Sequence, residues 1–389
     1  VTKKSPLIIS VLLLTLIGIF FIAISSLSEA SSTIGDQFFF LKKQLTWIPI
    51  SLIAFFIASK INLKLIIKFI TPAYLFSILL LVLVFVPQLG STALGASRWI
   101  NLGIISFQPS ELYKLISIIF FSYMFSQEKY RHTKNLTIYL LPALILVILE
   151  PNLSTAILIT TIIFTLFYIS GGNILAIFSI SAFAVLMGIV LIFTSPYRQA
   201  RLQTLLDPQD EQSISYHSQQ ITIAIASGGL TGKGFANSDQ KYKFLPKLST
   251  DSILAVIGEE TGFIGITIII YLYLVLIFYL LKIGRLIQDQ FQSLIIVGIA
   301  CWIAFQALIN IFAVASLIPL TGIPLPFISY GGSSLMALYA AIGLAKNIEN
   351  INQSLLYSNS DAKQKNNSYR HSPDTGPSLH RSTKKRQND

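Results

Sequence analysis

Residues 7–27 read LIISVLLLTLIGIFFIAISSL, an uncharged stretch that decides the class of fold. A hydrocarbon core about 30 Å thick takes about 20 apolar residues per helix, whereas the apolar part of a secretory signal is roughly 7 to 15 residues long. The stretch, which follows Lys3 and Lys4, therefore reads as a membrane-spanning helix. Nine further runs approach this length, at 44–59, 69–87, 109–126, 136–150, 153–170, 174–194, 252–281, 293–315 and 330–348. The predicted fold class is all-α, a polytopic integral membrane protein with about ten transmembrane helices. Composition agrees: of 389 residues 53% are hydrophobic and 12% charged, against roughly a quarter charged in a soluble domain.

The net charge of +11 does not point to nucleic acid, because the basic residues gather in short segments between apolar runs and at the C-terminal end. With the N-terminus inside, Lys3 and Lys4; Lys60, Lys64 and Lys68; Lys129, Arg131 and Lys134; and Lys282 and Arg285 all fall on the cytoplasmic side, as the positive-inside rule requires. Residues 1–348 are expected to form one transmembrane domain with a large extracytoplasmic loop at about 195–251. Residues 349–389, rich in Ser, Asn, Lys and Arg, read as a disordered cytoplasmic tail. The tail's Lys384-Lys385-Arg386 could touch anionic membrane lipid, although solubilising charge that fixes topology is the better account. The single Cys301 rules out a disulfide within the chain, and His132, His217, His371 and His380 lack ligand spacing, so no zinc site is expected.

Ionisable groups inside a bilayer cost several kcal/mol and by default mark function. The fourth run opens Phe107-Gln108-Pro109-Ser110-Glu111 and reaches Lys114. Pro109 suits the first helical position and Glu111 the positive end of the helix dipole. Capping does not explain Lys114, which stands at i+3 from Glu111 and can pair with it; the two are expected to face a polar cavity. Arg98 and Trp99 lie in the first outer segment, Trp99 as an interfacial anchor and Arg98 as an anchor or a phosphate ligand. Glu150-Pro151-Asn152 separates two apolar runs with almost no loop and reads as a tight turn. Gly228-Gly229-Leu230-Thr231-Gly232-Lys233-Gly234 lacks the spacing, the Ser or Thr and the preceding strand of a nucleotide loop. The stretch Pro319 to Ser334 concentrates Pro, Gly and hydroxyls and reads as a re-entrant or partly buried loop lining a cavity. Asp251 stands at a helix start; Glu259 lies roughly 12 Å deeper at 1.5 Å per residue, too far for the 5 to 9.5 Å of a two-carboxylate glycosidase.

Taken in order, these segments resemble the SEDS family (shape, elongation, division and sporulation), the RodA and FtsW proteins, from roughly Ser5 to Asn347. The matching residues are Arg98-Trp99, Phe107 to Glu111 with Lys114, Glu150-Pro151-Asn152-Leu153, Tyr197-Arg198 with Arg201, Asn237-Ser238 with Gln240-Lys241, Leu245-Pro246, Thr250-Asp251, Gly258-Glu259-Glu260 and Gly322 to Gly332. Asp36, Phe40 to Leu45 and the Asn-Ser-x-Gln-Lys segment look more like the division branch, FtsW. Three positions depart from the family pattern: Ser249 replaces a His, Lys247 a Glu, and Asn152 the Asp of Pro-Asp-Leu-Gly.

The resemblance implies a peptidoglycan glycosyltransferase that polymerises lipid II, the undecaprenyl-diphosphate-linked disaccharide pentapeptide, into glycan strands on the outer face of the cytoplasmic membrane during cell division. It implies a class B penicillin-binding protein and other division proteins as partners, and Asp251 as the catalytic residue. Residues expected to bind substrate are Arg98, Trp99, Gln108, Ser110, Glu111, Lys114, Asn152, Arg198, Lys243, Glu259 and Ser329. No cofactor is certain; a divalent cation, Mg2+ or Mn2+, could neutralise the diphosphate. Intramembrane Glu111, Lys114 and Glu259 equally permit a lipid II flippase, and a non-catalytic scaffold for the synthase is the third reading.

Overall fold

In the computed structural model, residues 5–33, 36–86, 90–93, 96–101, 106–193, 199, 213–235, 237–238 and 250–370 are described. The helices are α1 Pro6–Thr33, α2 Phe39–Lys60, α3 Leu63–Leu83, α4 Pro109–Ser126, α5 Thr133–Leu149, α6 Leu153–Ile169, α7 Ile174–Phe193, α8 Ser213–Gly228, α9 Ile253–Leu286, α10 Gln290–Val314 and α11 Gly332–Arg370. Each of the ten predicted runs coincides with one of them. Among the described residues, α1, α2, α3, α9 and α10 contain stretches long and apolar enough to cross a membrane by themselves, and α5 and α6 are shorter apolar helices.

Helix α10 is the axis of the bundle. It packs on α4, α6, α8 and α9, and 67% of its most apolar window is buried. Its Gly298 lets α4 and α6 close in, for a Cβ there would lie 2.6 Å from Ile118 and 3.2 Å from Leu166. Trp302, Ile118, Phe121, Phe125 and Phe167 fill the interior between these helices. The many exposed Leu, Ile and Phe side chains on α2, α3 and α9 are what a lipid-facing surface presents, since lipid is as apolar as they are.

Three segments differ from the expectation. Part of 88–108 is not loop: β1 Gly90–Ala93, β2 Ala96–Asn101 and β3 Ser106–Phe107 make a small antiparallel sheet in the order β1-β2-β3, with Ser91 opposite Trp99 and Ile100 opposite Phe107. The 195–251 loop contains α8, whose buried Ile221 and Ala224 pack it on the bundle; the apolar stretch Ile221 to Ile225 gives it a face to bury. Helix continues to Arg370, where composition predicts disorder from residue 349. Residues 344–372 contain neither Gly nor Pro, and a formed helix extends at one hydrogen bond per residue. By compactness, Val1–Ile348 and Glu349–Asp389 are separate units.

Candidate active site

Asp251 precedes the N-cap residue Ser252, so it stands just outside α9 and is only partly buried. Its carboxylate accepts from Thr250 Oγ1 at 2.9 Å through Oδ1. Its main-chain carbonyl accepts from Asn310 Nδ2 at 3.1 Å, and the same amide donates to the carbonyl of Ile323 at 2.8 Å. Asn310 thus ties the residue at the head of α9 to the Pro-rich loop after α10. That loop passes close by: a Cβ on Gly322 would lie 3.9 Å from Asp251 Oδ2, and the backbone there is left-handed at φ 70°, a conformation glycine adopts without strain.

One turn earlier on α10, Gln306 makes the second junction. Its Oε1 accepts from Lys114 Nζ at 3.1 Å and from Trp302 Nε1 at 2.7 Å, while its Nε2 donates to the carbonyl of Pro324 at 2.9 Å. Lys114 also pairs with Glu111 Oε1 at 2.8 Å and lies 5.1 Å from the Trp302 ring centre. The expected i to i+3 pair is present, and both side chains are almost fully buried. Glu111 Oε2 and Asn310 Oδ1 have no hydrogen-bond partner. The residues Trp302, Gln306 and Asn310, spaced by four, form a polar line on one face of α10. Sequence reasoning did not select them; an amide pair at i and i+4 inside an apolar run is the signal that was available.

Glu259 is buried by a different set of contacts. Its Oε1 accepts from Lys233 Nζ at 2.9 Å and from Ser227 Oγ at 3.4 Å, and its Oε2 from Ser238 Oγ. Main-chain bonds run alongside, from Lys233 N to Glu259 O at 2.9 Å, Gly234 N to Glu260 O at 3.1 Å and Phe263 N to Gly229 O at 2.9 Å. The glycine-rich segment after α8 is therefore a brace on α9 where the helix breaks at Gly262, φ 67° and ψ −164°. A Cβ on Gly262 would come within 2.4 Å of Gly232 N, and one on Gly232 within 2.1 Å of Glu260 O, so close backbone contact accounts for these glycines. Glu259 belongs to this brace rather than to the surroundings of Asp251.

Arg98 is a clamp on the turn between α5 and α6: Nε donates to Glu150 O at 3.0 Å and Nη2 to Pro151 O at 2.5 Å. Glu150 is buried with neither carboxylate oxygen hydrogen-bonded. Asn152 is the buried N-cap of α6 but its side chain makes no capping bond. Trp99 is half-buried in β2. Gln108 bonds through its main-chain N–H to Ser333 Oγ at 3.1 Å, and Ser110 is buried without a partner for its hydroxyl. Ser329 closes the Pro-rich loop on itself, its Oγ accepting from Leu325 N at 2.8 Å. Tyr273 of α9 fixes the same loop by donating to the Pro326 carbonyl. Arg198 and Lys243 lie outside the described residues, as do Tyr197, Arg201 and Ser249. Among the described residues no group of three or more His, Cys, Asp or Glu side chains converges on one point, so the side chains seen do not make a cation cage by themselves.

The geometry therefore divides the predicted residues into three sets. Asp251 stands with the Pro-rich loop, and the Glu111–Lys114 pair reaches that loop through Gln306; Glu259 braces α9; Arg98 holds the α5–α6 turn. The fold has known counterparts. A chain from a structure described as the structural coordination of polymerization and crosslinking by a peptidoglycan synthase complex superposes with a TM-score of 0.75 at 24% identity, covering 90% of this chain and 99% of that one. The rod shape determining protein RodA of Thermus thermophilus superposes with a TM-score of 0.66 at 23% identity, covering 90% and 97%. In sequence, the probable peptidoglycan glycosyltransferase FtsW of Haemophilus influenzae is 33% identical over 351 residues, 88% of this chain and 89% of that protein. Stage V sporulation protein E of Bacillus subtilis is 35% identical over 361 residues, 89% and 97%. The family model for FtsW, RodA and SpoVE, described as cell cycle protein, matches residues 4–354. The chain belongs to the FtsW/RodA/SpoVE family of polytopic membrane proteins.

Proposed function

We propose that the chain is a peptidoglycan glycosyltransferase that polymerises lipid II into glycan strands at the outer face of the cytoplasmic membrane, in septal wall synthesis. The observation that carries the reading is the placement of Asp251 within the matched family region. The residue stands outside the helix, partly exposed, beside a glycine-floored loop, and among the described residues its carboxylate accepts from a neighbouring hydroxyl. Such a group can reach an acceptor hydroxyl. Asp251 takes the proton of the acceptor sugar's 4-hydroxyl; that oxygen forms a bond to C1 of the donor sugar, and the C1–O bond to the lipid diphosphate breaks, its electron pair leaving with the diphosphate. Diphosphate is a good leaving group, so a second carboxylic acid near Asp251 is not needed.

Loop charge supports cytoplasmic termini, which put Asp251 on the outer side, where a lipid-linked donor is available and nucleotide sugars are not. The relative named as a probable peptidoglycan glycosyltransferase FtsW supports the activity and the septal role. The neighbour described as coordinating polymerization and crosslinking supports a class B penicillin-binding protein as partner. Purified protein in vesicles with fluorescent lipid II tests the reading. Glycan ladders on gels are the expected result; transbilayer movement of lipid II without polymer, or neither outcome, overturns it.

A further inference from the structure

We infer that Asn310 is a positioning residue for Asp251, setting the reach of its carboxylate by clamping two strands of backbone at once. Asp251 is not part of α9, so its carbonyl has no helical N–H to bond. It is held instead by the Asn310 amide, which grips Asp251 O at 3.1 Å and Ile323 O at 2.8 Å with its two hydrogens. A primary amide is the group suited to this, because it carries two donors on one nitrogen. Asn310 is 1% exposed, and its backbone lies in α10, which packs on four other helices. The clamp therefore fixes the distance between the Asp251 carboxylate and Gly322, the residue its Oδ2 approaches. One turn away Gln306 grips Pro324 O and receives Lys114, so the same helix face registers the loop against the Glu111–Lys114 pair. The direction of action runs from α10 to the loop and then to the carboxylate; Asn310 itself need not touch substrate.

The inference rests on Asp251 acting as the base in glycan polymerisation. Asn310→Asp keeps the side-chain volume but offers at most one donor, and that only when protonated, so it cannot hold both carbonyls; Asn310→Ala removes the group. Polymerisation of lipid II is measured per folded molecule, with kcat and KM resolved, for wild type, both variants, Asp251→Asn and the double variant Asn310→Ala/Asp251→Asn. Misplacing a reacting group by about an ångström costs on the order of 10²-fold, so each Asn310 variant is expected to lose at least about 10-fold in kcat, with KM within about twofold. In the Asp251→Asn background the Asn310→Ala change is expected to cost little more, because residues acting as one unit are not additive. A merely structural Asn310 would lower the yield of folded protein and leave kcat per folded molecule unchanged in both single variants, and that result overturns the inference. Absence of polymerisation by wild type sinks the functional reading itself, a separate outcome.

Discussion

Lys233 and Glu259 form an ion pair, Nζ to Oε1 at 2.9 Å, that fastens the glycine-rich segment to the second turn of a membrane helix. The two ends are unequal: the Glu259 side chain is fully buried and that of Lys233 is 30% exposed. Removing the lysine charge leaves a carboxylate in the interior, while removing the carboxylate leaves an ammonium that can reach water. Lys233→Met is therefore expected to destabilise by about 2 to 4 kcal/mol and Glu259→Gln by about 1 kcal/mol. Thermal unfolding in detergent orders the two; the reverse order would show that the brace is held by its main-chain bonds alone.

Glu111 and Lys114 behave differently because Gln306 and Trp302 share the load. In Glu111→Gln the ammonium keeps the Gln306 oxygen and the indole ring. In Lys114→Met the carboxylate, already short of a partner at Oε2, loses its counter-ion. Both variants are expected to lose polymerisation beyond any loss of folded protein, Lys114→Met the more severely, by several kcal/mol of stability as well. Wild-type polymerisation by both, per folded molecule, would reduce the pair to a helix-capping device.

Asp251→Asn tests the base directly. Asn is nearly isosteric and keeps the Thr250 and Asn310 hydrogen bonds, but cannot take a proton. Insertion and thermal stability are expected to be normal, with polymerisation lower by about 10²-fold or more. A wild-type rate under single-turnover conditions would make Asp251 a structural residue.

Membrane orientation is checked in a Cys301→Ser background. A cysteine at Asn101, exposed in β2, should react with an impermeant maleimide in intact spheroplasts, and one at His132, exposed before α5, only after lysis. The opposite pattern would put Asp251 on the cytoplasmic side and remove the lipid-linked donor.

Much of the molecule follows from one-dimensional properties. The run at 7–27 and its nine counterparts determine where helices lie, because an apolar stretch of that length buries its backbone polar groups most cheaply as helix in lipid. The spacing of Glu111 and Lys114 determines that they pair, since three residues along a helix bring side chains together. The apolar stretch in the long loop foretells an ordered, packed segment, and α8 is found there.

Tertiary structure alone decides the rest. The same physics of buried charge gives Glu111 a partner three residues away and Glu259 partners 21 to 32 residues away, and only packing distinguishes the two cases. Arg98 has the chemistry of a phosphate ligand, yet its fork is turned on the carbonyls of Glu150 and Pro151, 52 and 53 positions away. Asn310 and Gln306 look like ordinary amides in an apolar helix until the Pro-rich loop folds back over them. Their importance arises because a buried carbonyl without a helical donor must find one across the bundle, and a linear sequence does not show which carbonyls those will be.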